Sequence, residues 1–263
     1  MQRQIPMKQQ KTAILITCMA DSKTLMDAGT SITAAAEQFS DIKLYTAAGG
    51  SERQALDQAV AAGIRVLAVQ PLYLLHGFAY NSLMDTLRSY RRHFDALAVG
   101  KPLLAGDADR KAAALALMET MSASDDGETA ICLMGHGTRS AANHVYKDLQ
   151  AKFRESGHGN YYIGTLHAQP SLDTVRSALC AAGCYKKVVL APLMAFTGKH
   201  ARQDLAGGHP GSWKSVLERE GYQVVCMLEG LAQIPQVQRI YLDHLETALA
   251  GVMGEKDIFL QDE

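Results

Sequence analysis

Thr129-Ala130-Ile131-Cys132-Leu133-Met134-Gly135-His136-Gly137-Thr138 is the stretch on which the fold turns. Its first six residues are apolar or β-branched, carry no charge and stop at a glycine, the pattern of a strand covered on both faces. Similar runs occur at 12–17, 65–70, 97–104, 186–191 and 223–228, separated by segments of helical spacing. Strand-sized runs alternating with amphipathic helices predict an α/β fold with mostly parallel sheets flanked by helices. Three helical stripes stand out: Tyr80, Leu83, Met84, Leu87 and Tyr90; Val145, Leu149 and Phe153; Val237, Tyr241, Leu245 and Ala248. Residues three and four apart share a helical face, so these side chains are expected in the core.

The two halves read as copies of one another. Residues 14–17 followed by Cys18-Met19-Ala20-Asp21 align with 131–134 followed by Gly135-His136-Gly137-Thr138. Gln70-Pro71-Leu72 with Gly77 and Ala79 aligns, without a gap, with Ala191-Pro192-Leu193 with Gly198 and His200. The repeat predicts two similar α/β lobes, roughly 11–105 and 126–232, and a terminal helix at 233–249. As domains the expected division is 11–125 and 126–249. Lobes of this kind hold ligands beyond the carboxyl ends of their strands, so the active site is expected in the cleft between them.

Composition narrows the partners. Twenty-six basic against 27 acidic residues leave a formal charge of −1, too little field to attract nucleic acid or an anionic membrane. Residues 1–10 are polar and lead into Ala13 to Ile16, an apolar stretch too short for a signal-peptide core or a membrane span, so a cytoplasmic protein is expected. The five cysteines, at 18, 132, 180, 184 and 226, are odd in number and form no CxxC pair, and are expected to be reduced core residues. Self-association to a homo-oligomer stays open at this stage.

Chemistry is sought among the histidines. His136, His167 (in Gly164-Thr165-Leu166-His167-Ala168-Gln169-Pro170) and His200 (in Thr197-Gly198-Lys199-His200) each follow a predicted strand end. Strand C-termini of a parallel sheet converge on one edge, so residues roughly 30 apart can meet there as a metal site. The glycines beside His136 allow a flat ligand close to the backbone. A helix starting after Gly137, with Thr138 as N-cap, would set a positive dipole end near the ring. His76 is an outside candidate. His144 sits too far along its helix to join, and His93, His158, His209 and His244 read as surface or structural residues. Asp21 is expected to cap a helix, while Asp204, four residues after His200, is placed to orient that ring. No GxGxxG, Walker A, GxSxG or HExxH pattern occurs.

Met134-Gly135-His136-Gly137, Ala191-Pro192-Leu193-Met194 through Gly198-Lys199-His200, and Gly211-Ser212-Trp213-Lys214 resemble segments of the anaerobic sirohydrochlorin cobaltochelatases of cobalamin biosynthesis, relatives of the class II ferrochelatases. Weaker similarity runs through Gln70-Pro71-Leu72 and Tyr241-Leu242-Asp243-His244-Leu245, so it covers nearly all of 11–249. The resemblance implies a two-lobed chelatase fold and a lyase that inserts a divalent metal into a tetrapyrrole, with His136 and His200 on the metal. Co²⁺ is the first candidate, and Ni²⁺, Fe²⁺ and Zn²⁺ also suit imidazole ligands. Two departures stand out. His167 occupies the place where the family usually has a metal-binding Glu, and Cys18-Met19-Ala20-Asp21 replaces the usual Phe-Gly-Thr-Ser. The expected roles are His136 as principal ligand and base, His200 as second ligand and His167 as third. A non-catalytic tetrapyrrole or metal carrier on the same fold is the alternative, and a periplasmic-type two-lobed solute-binding protein is a third reading, disfavoured by the GHG turn.

Overall fold

The computed structural model describes residues 11–21, 23–25 and 42–253; the polar residues 1–10 lie outside that range. In chain order the regular elements are β1 (Thr12–Cys18), β2 (Lys43–Ala48), α1 (Glu52–Ala61), β3 (Val66–Pro71), α2 (Phe78–Tyr90), β4 (Ala96–Val99), α3 (Asp107–Thr120), β5 (Thr129–Gly135), α4 (His144–Glu155), β6 (Tyr161–Thr165), α5 (Leu172–Ala182), β7 (Lys187–Leu193), α6 (Trp213–Arg219), β8 (Gln223–Cys226) and α7 (Pro235–Met253). Among the described residues the strands form two four-stranded sheets, β2-β1-β3-β4 and β6-β5-β7-β8. Every pairing is parallel, as the apolar runs require, because a parallel strand is buried on both faces.

The two sheets repeat one order and one register. Thr17 pairs with Pro71 in the first and Met134 with Pro192 in the second, so the alignment of the halves holds at the level of strand partners. Cys18 pairs with Ala48 and Gly135 with Thr165, which extends the correspondence to strands that the sequence comparison did not reach. Two of the four edge strands, β2 and β6, are absent from the apolar runs read in the sequence. The run expected at 97–104 is shorter in the structure, ending at Val99.

Each sheet has its own core. In the first, Leu15, Leu56, Leu67, Leu87 and Leu97 are buried together with Phe94. In the second, Cys132, Met134, Val188, Leu190, Trp213 and Leu217 pack together. The α2 stripe is buried at Leu83, Met84 and Leu87, with Tyr80 and Tyr90 half-buried against it. The α4 stripe is wholly buried, and so are Val237, Tyr241, Leu245 and Ala248 of α7. Truncating one such leucine to alanine costs about 2–5 kcal/mol.

The chain divides differently from the expected 11–125 and 126–249. One compact unit runs to Leu103 and resumes at Gln238; the other is Leu104–Val237. Residues 104–125 join the second unit because α3 packs on α4, where Lys152 Nζ lies 2.8 Å from Asp107 Oδ1. Most of α7 belongs to the first unit, in which the Tyr241 hydroxyl donates to the Tyr73 carbonyl at 3.1 Å and His244 Nδ1 lies 3.0 Å from the Lys101 carbonyl. Among the described residues no helix is long and apolar enough to cross a membrane.

The cysteines also correct an expectation. Cys18 and Cys132 are buried and Cys226 is half-buried, but Cys180 and Cys184 are exposed. They fall on the outer side of the α5 C-terminus, whose inward residues are Val175 and Leu179.

Candidate metal centre

In the second unit β5 is central, with β6 on one side and β7 on the other. The chain leaves β5, crosses to β6 and then returns past β5 to β7, so the carboxyl ends of β5 and β7 form the point where the winding reverses. His136 follows β5 directly, and the parallel ladder carries on beyond the strand ends: Leu166 N–H donates to the Gly135 carbonyl and His167 N–H to the His136 carbonyl, both at 3.1 Å. His200 comes from the loop after β7. Its ring is held by a π turn, Ala201–Leu205, whose Ala201 and Leu205 are buried.

The three rings meet. Centroids lie 4.7 Å apart for His136 and His167, 5.2 Å for His136 and His200, and 5.8 Å for His167 and His200. One ring nitrogen from each lies within 4.8 Å of the others, and His136 and His167 are exposed while His200 is half-buried. A tetrahedral ion about 2.1 Å from each nitrogen needs nitrogens about 3.4 Å apart, so modest ring rotation closes the set. Three donors leave further coordination positions open, the arrangement of a working site rather than a sealed structural one.

The GHG loop is fixed from beneath. Gly135 lies where a Cβ would stand 2.4 Å from the Tyr146 ring, and the Tyr146 hydroxyl accepts the Gly137 N–H at 3.2 Å. Burial drives the Tyr146 phenol pKa upward, so it serves as a neutral prop. Gly137 has φ +79°, and a Cβ there would meet Thr165 Oγ1 at 2.7 Å. The flanking glycines therefore answer to packing beneath the loop. Asn143 links both loops, accepting the Thr138 N–H at 2.9 Å and donating to the Gln169 carbonyl at 2.6 Å.

One expectation fails here. No helix starts after Gly137: a 3-10 turn begins at Ala141 and α4 at His144. Thr138 Oγ1 accepts the Ser140 N–H and caps no helix, so the proposed helix dipole beside His136 has no structural basis.

The profile of the cobalt chelatase (CbiK) family matches residues 36–250. The chain belongs to that family. It is 37% identical over 188 residues to the sirohydrochlorin cobaltochelatase CbiKC of Nitratidesulfovibrio vulgaris strain Hildenborough, a match spanning 71% of this chain and 66% of that protein. It is 29% identical over 202 residues to the sirohydrochlorin cobaltochelatase of Salmonella typhimurium strain LT2, spanning 77% and 75%. The matched region thus covers just under two thirds of the first relative and three quarters of the second. Among solved structures, SirB from Bacillus subtilis with Fe³⁺ shares the fold with TM-score 0.68 at 16% identity, covering 95% of this chain and all of that one.

In this member of the cobalt chelatase family the remaining histidines have partners of their own within each unit. His144 opens α4, bound at Nδ1 to the Ala141 carbonyl, and faces Asp148. His76 is exposed in the first unit, edge-on to Tyr80. His158 Nδ1 pairs with Asp125 at 2.7 Å near the amino end of β6. His93 sits beside the Tyr90 ring, and His209 Nδ1 accepts the Gly211 N–H. Asp21 caps as expected, its carboxylate accepting the Thr24 N–H at 2.8 Å, which holds its pKa below the usual range. The shared Gly211-Ser212-Trp213-Lys214 segment is structural: Ser212 caps α6, and Trp213 is buried against Gly164. A separate groove of about 470 Å³ over β6, lined by Lys147, Gln150 and Arg154, contains none of the three clustered histidines.

Proposed function

We propose that this chain inserts Co²⁺ into sirohydrochlorin, a step of cobalamin biosynthesis, with His136 as principal ligand and base and His200 and His167 completing the metal-binding set. The observation that carries the reading is the convergence of three imidazoles from the ends of three adjacent strands, in a chain whose family and curated relatives are cobalt chelatases.

Insertion exchanges two pyrrole N–H protons of the macrocycle for one divalent ion. The metal has to be presented to the ring face and the protons have to be received there. An unprotonated imidazole nitrogen does either task. His136 Nδ1 lies 3.1 Å from the Gly137 carbonyl, which can only accept, so Nδ1 carries the ring hydrogen and Nε2 is left with its lone pair. Exposure of His136 and His167 gives a flat substrate access to that nitrogen. Three neutral nitrogen donors suit Co²⁺, and Ni²⁺, Fe²⁺ or Zn²⁺ by the same chemistry.

Absorbance during incubation of the protein with sirohydrochlorin and excess Co²⁺ tests this. Multiple turnovers are expected for the wild type, and His136→Ala and His200→Ala should lower the rate by at least about 100-fold. Turnover by His136→Ala at the wild-type rate would refute the assignment. A stoichiometric spectral shift without turnover would instead identify a carrier.

A further inference from the structure

We propose that Asp204 is a positioning residue that commits His200 to the metal through Nε2; the inference rests on the reading of the three histidines as the metal site. Asp204 Oδ2 lies 2.6 Å from His200 Nδ1. A carboxylate accepts, so the hydrogen resides on Nδ1 and the lone pair on Nε2. The Gly137 carbonyl imposes the same choice on His136, so the two rings offer the same atom by two different devices, one a backbone oxygen and the other an acidic side chain.

Local structure makes the second device reliable. Ala206 N–H donates to the Ala201 carbonyl, closing the π turn, and buried Ala201 and Leu205 anchor that turn in the core. Single π turns recur where a helix must carry a functional group in a particular direction. Among the described residues no Lys or Arg pairs with Asp204; its ion-pair partner is His200. Both side chains are about two-fifths exposed, at 41% and 38%. An exposed pair of this kind adds little to folding stability, so the contact is better explained by what it does to the imidazole. Carboxylate partners of ligating histidines fix ring and tautomer in this way.

The test is titration of the metal-free full chain with Co²⁺, followed by its visible d–d absorption, beside thermal denaturation of the same metal-free samples. Asp204→Ala should weaken Co²⁺ binding by about 10- to 100-fold and alter the d–d band, whereas Asp204→Asn, which keeps an acceptor oxygen, should stay within about 3-fold of wild type. Melting of the metal-free protein should shift by no more than about 2 °C in either variant. Wild-type affinity in Asp204→Ala together with weakened binding in His200→Ala would overturn the role of Asp204 and leave the metal-centre reading standing. Equal losses in the Ala and Asn variants with a lowered melting temperature would mark a structural residue and also overturn it. Undiminished binding by His200→Ala would remove the metal-centre reading, and the role of Asp204 with it.

Discussion

At the scale of single residues, the three clustered histidines were legible and the groups that hold their loops were not. His136, His167 and His200 announce themselves because each follows a strand end and glycines accompany them. Tyr146, Asn143 and Thr165 hold the loops from other elements, and no local spacing reveals such contacts. The misplaced helix start after Gly137 has the same origin: a Gly-Thr pair reads as a cap, but Asn143 captures the Thr138 N–H and the chain runs on to Ala141 before turning. Gly137 gives the clearest single-residue prediction. Its φ of +79° suits glycine, and an added Cβ would sit 2.7 Å from Thr165 Oγ1. Gly137→Ala should destabilise the protein by about 1–3 kcal/mol through backbone strain and overpacking. Because the displaced loop carries His136, Co²⁺ affinity should fall as well. Calorimetry paired with a Co²⁺ titration checks both, and an unchanged affinity would show that the loop's seat on Thr165 does not govern the site.

At the scale of elements, the central strands and the edge strands β4 and β8 could be read from sequence, and the edge strands β2 and β6 could not. β1, β3, β5 and β7 are continuous apolar runs because both their faces and both their edges are covered. β2, Lys-Leu-Tyr-Thr-Ala-Ala, buries only Tyr45 and Ala47 fully and leaves Lys43 and Thr46 exposed. β6, Tyr-Tyr-Ile-Gly-Thr, is fully buried yet includes a glycine that makes room for Trp213. A free strand edge exposes unpaired backbone groups that invite association. Here Gln150 of α4 covers the edge, its Nε2 donating to the Tyr161 carbonyl at 2.7 Å and its Oε1 accepting the Ile163 N–H at 2.8 Å. Gln150→Ala strips both partners at once. The expected cost is about 1–3 kcal/mol, with concentration-dependent self-association visible in sedimentation velocity. A variant that melts like wild type and stays monodisperse would mean that water replaces the amide without penalty.

At the scale of the whole molecule, the repeat was legible because it lies in strand order and register, whereas the division of the chain was not. Helices α3 and α7 each pack on the unit opposite to the one their sequence position suggests, which depends on side-chain partners such as Asp107–Lys152 and Tyr73–Tyr241. The register also shows how unevenly chemistry is distributed. With Met134 equivalent to Thr17, Thr165 to Ala48 and Pro192 to Pro71, the histidines of the second unit correspond to Met19, Gly50 and Ala79 in the first. The fold was thus repeated without the histidine cluster. What both units do share is a buried thiol on a central strand, Cys18 on β1 and Cys132 on β5. Burial pushes the Cys18 thiol from its ordinary 9.0 up to about 11 and drives the Cys132 thiol upward as well. A thiol whose folded pKa lies above its unfolded one contributes fully below the unfolded value. That contribution is lost as pH rises from there toward the folded value, at about 1.4 kcal/mol per pH unit for each group. The melting temperature should therefore drop steeply between about pH 9 and pH 11, where the unfolded thiols ionise and the folded ones do not. Cys132→Ala removes one of these groups, so its melting temperature, though lower at neutral pH for lost packing, should decline less steeply over the same interval. Parallel curves for the two proteins would show that something other than the buried thiol sets the alkaline limit.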